Sequence, residues 1–262
     1  MPLTVLLDTG VDPSSIDLAP AESLHLPIDR KTSGEAAGTG GDKHAQVFPA
    51  TIAGLAIGGR NFAPTATLAG DLSGLSTAYG RRLDGVLGYS FLHDKIALID
   101  YPAHRFALLD RPEDAGPLTR SCRIRWSTPM RFLADENWPL LPGLRFGAAS
   151  ASATLDTGSS GSVTLYRNAL ALLGLRAALT RGGQTSSAGF RGSSSLAKFT
   201  IAVPVGFGSF SLPPGSAVIF RDESGPAKEI VANVGNRLFA AIKLKVVLDY
   251  RARVLTFFGS CE

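Results

Sequence analysis

Two aspartates of this chain stand in the same tripeptide, Asp8-Thr9-Gly10 and Asp156-Thr157-Gly158. Each tripeptide ends an apolar run, Leu3-Thr4-Val5-Leu6-Leu7 in the first case and Ala153-Thr154-Leu155 in the second. A carboxylate at the tip of a buried strand is costly unless something pairs with it. Two such tips in one chain therefore point to carboxylates that face each other. A pair only a few ångströms apart does not ionise twice at low cost, so one member keeps a proton while the other is charged. Such a pair takes a proton from water and gives one to a leaving group, with no histidine, metal or covalent intermediate. One copy alone would read as a turn, because Asp and Gly are turn residues. The remainder of the chain has to decide.

The elements around each tripeptide recur in order. After the first come Asp84-Gly85-Val86-Leu87-Gly88, then Lys95-Ile96-Ala97-Leu98-Ile99-Asp100-Tyr101, then Arg105-Phe106-Ala107-Leu108-Leu109. After the second come Ala232-Asn233-Val234-Gly235, then Lys245-Val246-Val247-Leu248-Asp249-Tyr250, then Arg253-Val254-Leu255-Thr256-Phe257-Phe258. Asp8 precedes Gly88 by 80 positions and Asp156 precedes Gly235 by 79. Unrelated turns do not keep register over half a chain, so the pattern reads as an internal repeat.

Both halves resemble retropepsin-type aspartic protease units: DTG, a distant apolar-apolar-Gly, and a following Asp-Tyr hairpin. Two such units in one chain resemble the pepsin-like arrangement. The second motif, Asp156-Thr157-Gly158-Ser159-Ser160, is the pepsin-like one; the first, Asp8-Thr9-Gly10-Val11-Asp12, is closer to the retroviral pattern. The resemblance implies an all-β bilobal fold, two related barrel-like lobes with a few short helices. It implies an aspartic endopeptidase in which an Asp8/Asp156 dyad at the lobe interface activates water, with Thr9 and Thr157 hydrogen-bonding to the opposite loop. Gly10 and Gly158 would aim amide N–H groups at the carboxylates, and Ser159 would bond the outer oxygen of Asp156. Val11 stands at the equivalent place after Asp8 and cannot, so Asp156 is expected to be the better-stabilised anion. Asp12 resembles a carboxylate that binds substrate backbone, and reads equally as a solvated turn. Gly88 and Gly235, with Leu87 and Val234, resemble supports packed beneath the loops.

The sequence divides into residues 1–110, a Pro/Gly-rich polar linker at 111–121, and residues 122–262. Strands are expected at Thr51–Ile57, entering a hairpin at Gly58-Gly59, and at Phe199–Val203. Helices are expected at Leu165–Leu179 and Pro20–Leu24. Two Gly-rich stretches, Gly34–Gly41 and Gly182–Gly189, lie at matching offsets after their tripeptides. They read as loops near the cleft, with Gly38, Thr39 and Gly40 on a flap over substrate, or as plain hairpin tips. The second half has strand-like sequence from Cys122 to Asp156, whereas seven residues precede Asp8. The repeat thus implies a first lobe lacking its leading strand or hairpin, and any signal peptide lost with it. Location is then periplasmic or secreted, and otherwise cytoplasmic. Cys122 and Cys261 begin and end the second unit, leaving a disulfide and two free thiols both open.

Composition narrows the other classes. Apolar residues make up 45% and charged residues 18%, which indicates a globular chain rather than a disordered one. The net charge of +4 is scattered with no basic block, arguing against nucleic-acid binding. No apolar run is long enough to span a membrane. His25, His44, His93 and His104 have no metal-ligand spacing, and no G-x-S-x-G elbow exists. Asp100 and Asp249 could form a second acid pair, but their place before Tyr favours turn roles. The expected partner is a peptide or protein in the cleft of a monomer that uses no cofactor. The alternative is a weak or inactive homologue that binds peptides, suggested by the short first lobe, Val11 and the absence of a flap tyrosine. A two-carboxylate glycosidase has no supporting sugar platform.

Overall fold

Short runs with alternating inward and outward residues dominate the computed structural model, which describes residues 1–36, 45–190 and 192–261. Strands account for 48% and helices for 16% of the described residues, which gives the all-β class. The chain groups into two compact units, Met1–Phe91 with Ser186–Leu196, and Leu92–Thr185 with Ala197–Glu262.

The first unit is built on a six-stranded sheet in the order Val5–Leu7, Gly85–Leu87, Ser14–Asp17, Thr65–Gly70, Gln46–Ile52, Gly34–Glu35. Directions along it run parallel, antiparallel, parallel, then antiparallel twice. In Gln46–Ile52 the inward residues Val47, Ala50 and Ile52 are buried. Ala50 and Ile52 join Ile16, Ala21 and Ala69 in one cluster. A second cluster gathers Leu72, Leu75, Leu83 and Val86, with Leu6, Val11, Tyr79 and Phe190 against it. Asp17 starts the helix Leu18–Ser23 by accepting from Ala19 N–H, and its other oxygen accepts from Leu72 N–H at 2.9 Å. This helix lies slightly earlier than the expected Pro20–Leu24, because the cap fixes its start. The run expected as one strand to Ile57 breaks after Ile52. Ala56–Ile57 then pairs with Arg60–Asn61 around Gly58-Gly59.

Val5–Leu7 lies at the edge of its sheet. It is latched by Asp84, which is 4% exposed. The Asp84 carboxylate accepts from Thr4 N–H at 2.8 Å and from Arg82 Nε at 2.6 Å, while Asp84 N–H donates to Thr4 O at 2.7 Å. Charged acceptors on backbone donors are strong hydrogen bonds, so a three-residue strand is held in register from its first peptide.

The second unit carries most of a ten-stranded sheet. Its path is Leu179–Gly189, Gly192–Ile201, Ser216–Arg221, Val163–Tyr166, Ile230–Gly235, Ala149–Asp156, Pro139–Phe146, Val205–Phe207, Phe210–Leu212, with Arg131–Phe132 paired to Pro139–Phe146. From Ala149–Asp156 to Gly192–Ile201 the directions again run parallel, antiparallel, parallel, antiparallel. The helix expected over Leu165–Leu179 is only Arg167–Leu172, followed by a 3₁₀ turn at Leu175–Ala178. Leu165 is fully buried in the strand Val163–Tyr166 instead, and Gly174 in the left-handed region ends the helical run. The Gly-rich stretch Gly182–Gly189 is regular strand rather than loop.

A five-stranded antiparallel sheet completes this unit: Arg105–Leu109, Ile96–Asp100, Lys245–Asp249, Val254–Cys261, Cys122–Pro129. Residues 92–110 therefore group in space with the second half, although the repeat along the chain assigns them to the first. Asp100 and Asp249 have turn roles, accepting from Ala103 N–H and Ala252 N–H. Beneath the sheets, Phe207 meets Trp126, Phe210, Phe239 and Phe257 with centroids 4.9–6.1 Å apart.

Cys122 and Cys261 face each other across the outermost strand pair and are joined as a disulfide spanning 139 positions. A cross-link that closes so long a loop removes much unfolded-chain entropy. Its removal in a Cys122→Ser, Cys261→Ser variant should cost about 2–5 kcal/mol. The check is the urea midpoint of the variant and of the reduced wild type; both should fall together, and an unchanged midpoint would count against the cross-link.

Candidate active site

Asp8 follows the strand Val5–Leu7 directly. Its backbone N–H donates to Leu87 O at 3.0 Å, and its Oδ1 accepts from Gly10 N–H at 2.8 Å. Thr9 is buried, Asp8 is half-buried and Asp12 is exposed. The loop is fastened from below. Tyr89 N–H donates to Val11 O at 2.9 Å, Gly88 N–H donates to Ser14 Oγ, and Ser14 N–H donates to Ser90 Oγ. Gly88 packs so closely under Val11 that a Cβ there would lie 2.2 Å from Val11 O.

Asp156 ends the strand Ala149–Asp156 and is also half-buried. Three N–H donors converge on it. Gly158 N–H and Ser159 N–H reach Oδ1 at 2.9 and 2.8 Å, and Asn233 Nδ2 reaches Oδ2 at 2.8 Å. An ionised carboxylate only accepts, so all three contacts are complementary to the anion. The expected contribution of Ser159 arrives through its backbone; its hydroxyl accepts from Gly161 N–H at 3.3 Å. The contact on Oδ2 comes from Asn233, which in turn accepts from Thr154 Oγ1 at 2.7 Å. Thr157 is 3% exposed. Gly235 packs under this loop as Gly88 does under the first, with a Cβ placed 2.6 Å from Gly161 O and 2.7 Å from Ser159 O.

A second set of bonds steadies the same loop. Asn236 N–H donates to Ser159 O at 2.9 Å, Arg237 N–H to Gly161 O, and the Asn236 side-chain amide to Thr157 O. The Tyr101 hydroxyl donates to Asn236 Oδ1. Burial pushes the Tyr101 phenol well above the ordinary tyrosine value of 10.0. Burial likewise raises Tyr166, beside Arg221, Thr154, Asp156 and Glu223. A phenol held protonated in the native state keeps its proton after the unfolded chain has lost it. Its stabilisation is complete below about pH 10 and is lost as pH rises beyond that. Tyr101→Phe should flatten the fall of the urea midpoint between about pH 9 and about pH 11; an unaltered slope would refute this.

Tyr101, Thr154, Asn233 and Asn236 were not singled out by sequence reasoning. A signal existed in the comparison of the halves. Thr154 and Asn233 stand two residues before Asp156 and Gly235, where Leu6 and Val86 stand before Asp8 and Gly88. Polar residues inside otherwise apolar runs mark a strand whose surroundings are polar. Among the other expected site residues, Gly38, Thr39 and Gly40 lie outside the described residues. Within the described residues no helix is long and apolar enough to cross a membrane.

A family model described as aspartyl protease matches residues 1–91. Conglutin gamma, a basic 7S globulin from lupine seeds, aligns over 100% of this chain and 89% of its own, with TM-score 0.52 and 8% identity. At that identity the likeness is one of fold. A retropepsin-like aspartic protease from Rickettsia conorii aligns over 52% of this chain and 92% of its own, with TM-score 0.35 and 12% identity. A comparison with curated proteins gave no match. The family match spans the first 91 of the 262 residues, and over that stretch the chain is similar to aspartyl proteases.

Proposed function

We propose that the protein is an aspartic endopeptidase in which Asp8 and Asp156 form the catalytic dyad. The observation that carries this reading is the like construction of the two Asp-Thr-Gly turns. Each aspartate stands at the C-terminal end of a strand, Asp8 directly after Val5–Leu7 and Asp156 as the last residue of Ala149–Asp156. Each strand runs parallel to the one that leads into the apolar-Gly element, and each carboxylate accepts the N–H of the glycine two residues on. The shared sequence of strand directions in the two sheets supports an internal duplication, which would give each aspartate the same place in its own lobe.

In this reading Asp156 is the charged member and Asp8 carries the proton. Asp156 takes a proton from water as its oxygen attacks the peptide carbonyl carbon, and Asp8 gives its proton to the carbonyl oxygen. The resulting gem-diol collapses when the proton on Asp156 passes to the leaving nitrogen. Asp8 recovers a proton from a gem-diol hydroxyl, the C–N bond breaks, and the dyad is restored with no covalent intermediate. Thr9 and Thr157 fix the loops, and Asp12 with Gly38, Thr39 and Gly40 contacts substrate backbone. The protein works as a monomer on peptides or proteins.

The test is cleavage of a peptide library in acid by the wild type and by Asp8→Asn and Asp156→Asn. Cleavage should vanish in both variants; cleavage that survives both substitutions defeats the dyad. Peptide affinity in a wild type that cleaves nothing would favour a peptide-binding module instead.

A further inference from the structure

The strand beneath Asp156 carries a polar pair where the strand beneath Asp8 carries an apolar one. Thr154 and Asn233 are register partners on adjacent parallel strands, as Leu6 and Val86 are. Val86 is fully buried in an apolar cluster with Leu6 and Val11 packed on it, and has nothing to donate. Thr154, 4% exposed, gives its hydroxyl proton to Asn233 Oδ1 at 2.7 Å, and Asn233 Nδ2 donates to Asp156 Oδ2 at 2.8 Å. The direction of this relay is set by chemistry. Turning the amide over would press Asn233 Oδ1 against a carboxylate oxygen, acceptor against acceptor, and would lose the hydrogen bond from Nδ2 to the charged group, a costly exchange at a half-buried site. Tyr166 lies beside Thr154 and Asp156, with Arg221 and Glu223 near it.

We propose that Asn233, oriented by Thr154, is a positioning residue that holds Asp156 as the charged member of the dyad. The proposal rests on the dyad reading above and goes beyond it, because it says which residue makes the two aspartates unequal. Gly158 and Ser159 hold only Oδ1; Asn233 fixes the second oxygen and so the plane of the carboxylate. Without it the carboxylate can turn about its Cβ–Cγ bond, and the atom that receives the water proton is no longer in place. Misplacement of a reacting group by a fraction of an ångström to an ångström costs up to about 100-fold in rate.

Asn233→Val copies the first-lobe residue, and Thr154→Val removes only the orienting hydroxyl. Both should lower kcat, by about 10–100-fold for Asn233→Val, with little change in KM. Thr154→Ser should recover most of the loss, and Thr154→Val should add little to Asn233→Val in the double variant. A role confined to stability would move the melting temperature without this split and without the non-additivity. Wild-type kcat in Asn233→Val, with Asp156→Asn inactive, overturns the relay and leaves the dyad standing. The relay is also read without turnover. In ¹⁵N-labelled protein, one Asn233 side-chain amide proton should be shifted downfield and slow to exchange, and Asp156→Ala or Thr154→Val should abolish both properties. An Asn233 amide that behaves as solvated in the wild type, or ignores Asp156→Ala, overturns the relay whatever the protease activity.

Discussion

Asp156→Asn should lower kcat/KM by about 10³–10⁴-fold while leaving the fold and its melting temperature nearly unchanged. The loss follows from the chemistry: an amide neither takes a proton from water at working pH nor returns one to the leaving nitrogen. The preserved fold follows from the hydrogen bonds. The new amide oxygen can still accept from Gly158 N–H and Ser159 N–H, which reach Oδ1 in the native protein. Its NH₂ group would then face Asn233 Nδ2, donor against donor. Asn233 can turn over to present its oxygen, and the Thr154 hydroxyl, which both gives and accepts, can follow by rotating. Aspartate at 156 thus sets the direction of the relay, and asparagine reverses it at small cost. Initial rates on a cleaved peptide, together with thermal melts, separate the two effects. An inactive variant that is also unfolded would refute the argument for reversal.

The largest structural effects are expected at Gly88 and Gly235. Alanine at 235 sets a methyl carbon 2.6 Å from Gly161 O and 2.7 Å from both Ser159 O and Ser159 Oγ. Alanine at 88 sets one 2.2 Å from Val11 O. The obstructing atoms are mainly backbone oxygens, and those at Gly161 and Ser159 are already bonded by Arg237 and Asn236, so no flexible side chain can swing away. Overpacking of this kind costs about 1–3 kcal/mol or more. The loop that must move is also the one that carries the aspartate. Each variant should therefore lose activity out of proportion to stability, with kcat reduced by about 100-fold or more. Gly88→Ala is the more severe, having the shorter approach. Urea unfolding and steady-state rates on the same preparations test this; a Gly88→Ala protein that both melts and cleaves like wild type would contradict the packing.

Much of the molecule could be read from its residues. The twin tripeptides, the apolar-Gly elements after them and the Asp-Tyr turns were all visible as local patterns, because strand alternation and turn chemistry act over a few residues. The helix at Leu165–Leu179 was misread because a buried strand followed by a helical turn has the same apolar spacing as one long helix. Leu165 satisfies both patterns, and only its pairing with Ala232 assigns it to a strand. The grouping of residues 92–110 with the second half was hidden as well, since Ile96–Asp100 finds its partner at Lys245–Asp249 only once the sheet is assembled.

The sequence by itself determined the all-β class and the two aspartates on matching turns, because both depend on residue type and short spacing. Tertiary structure alone decided how the aspartates differ. Asn233 and Asp156 are 77 positions apart, Thr154 and Asn233 are 79, and Tyr101 and Asn236 are 135. Hydrogen bonds over such separations exist only when the packed core fixes strand register. A slip of one residue would turn Asn233 to the opposite face of its sheet and leave Asp156 Oδ2 without that donor.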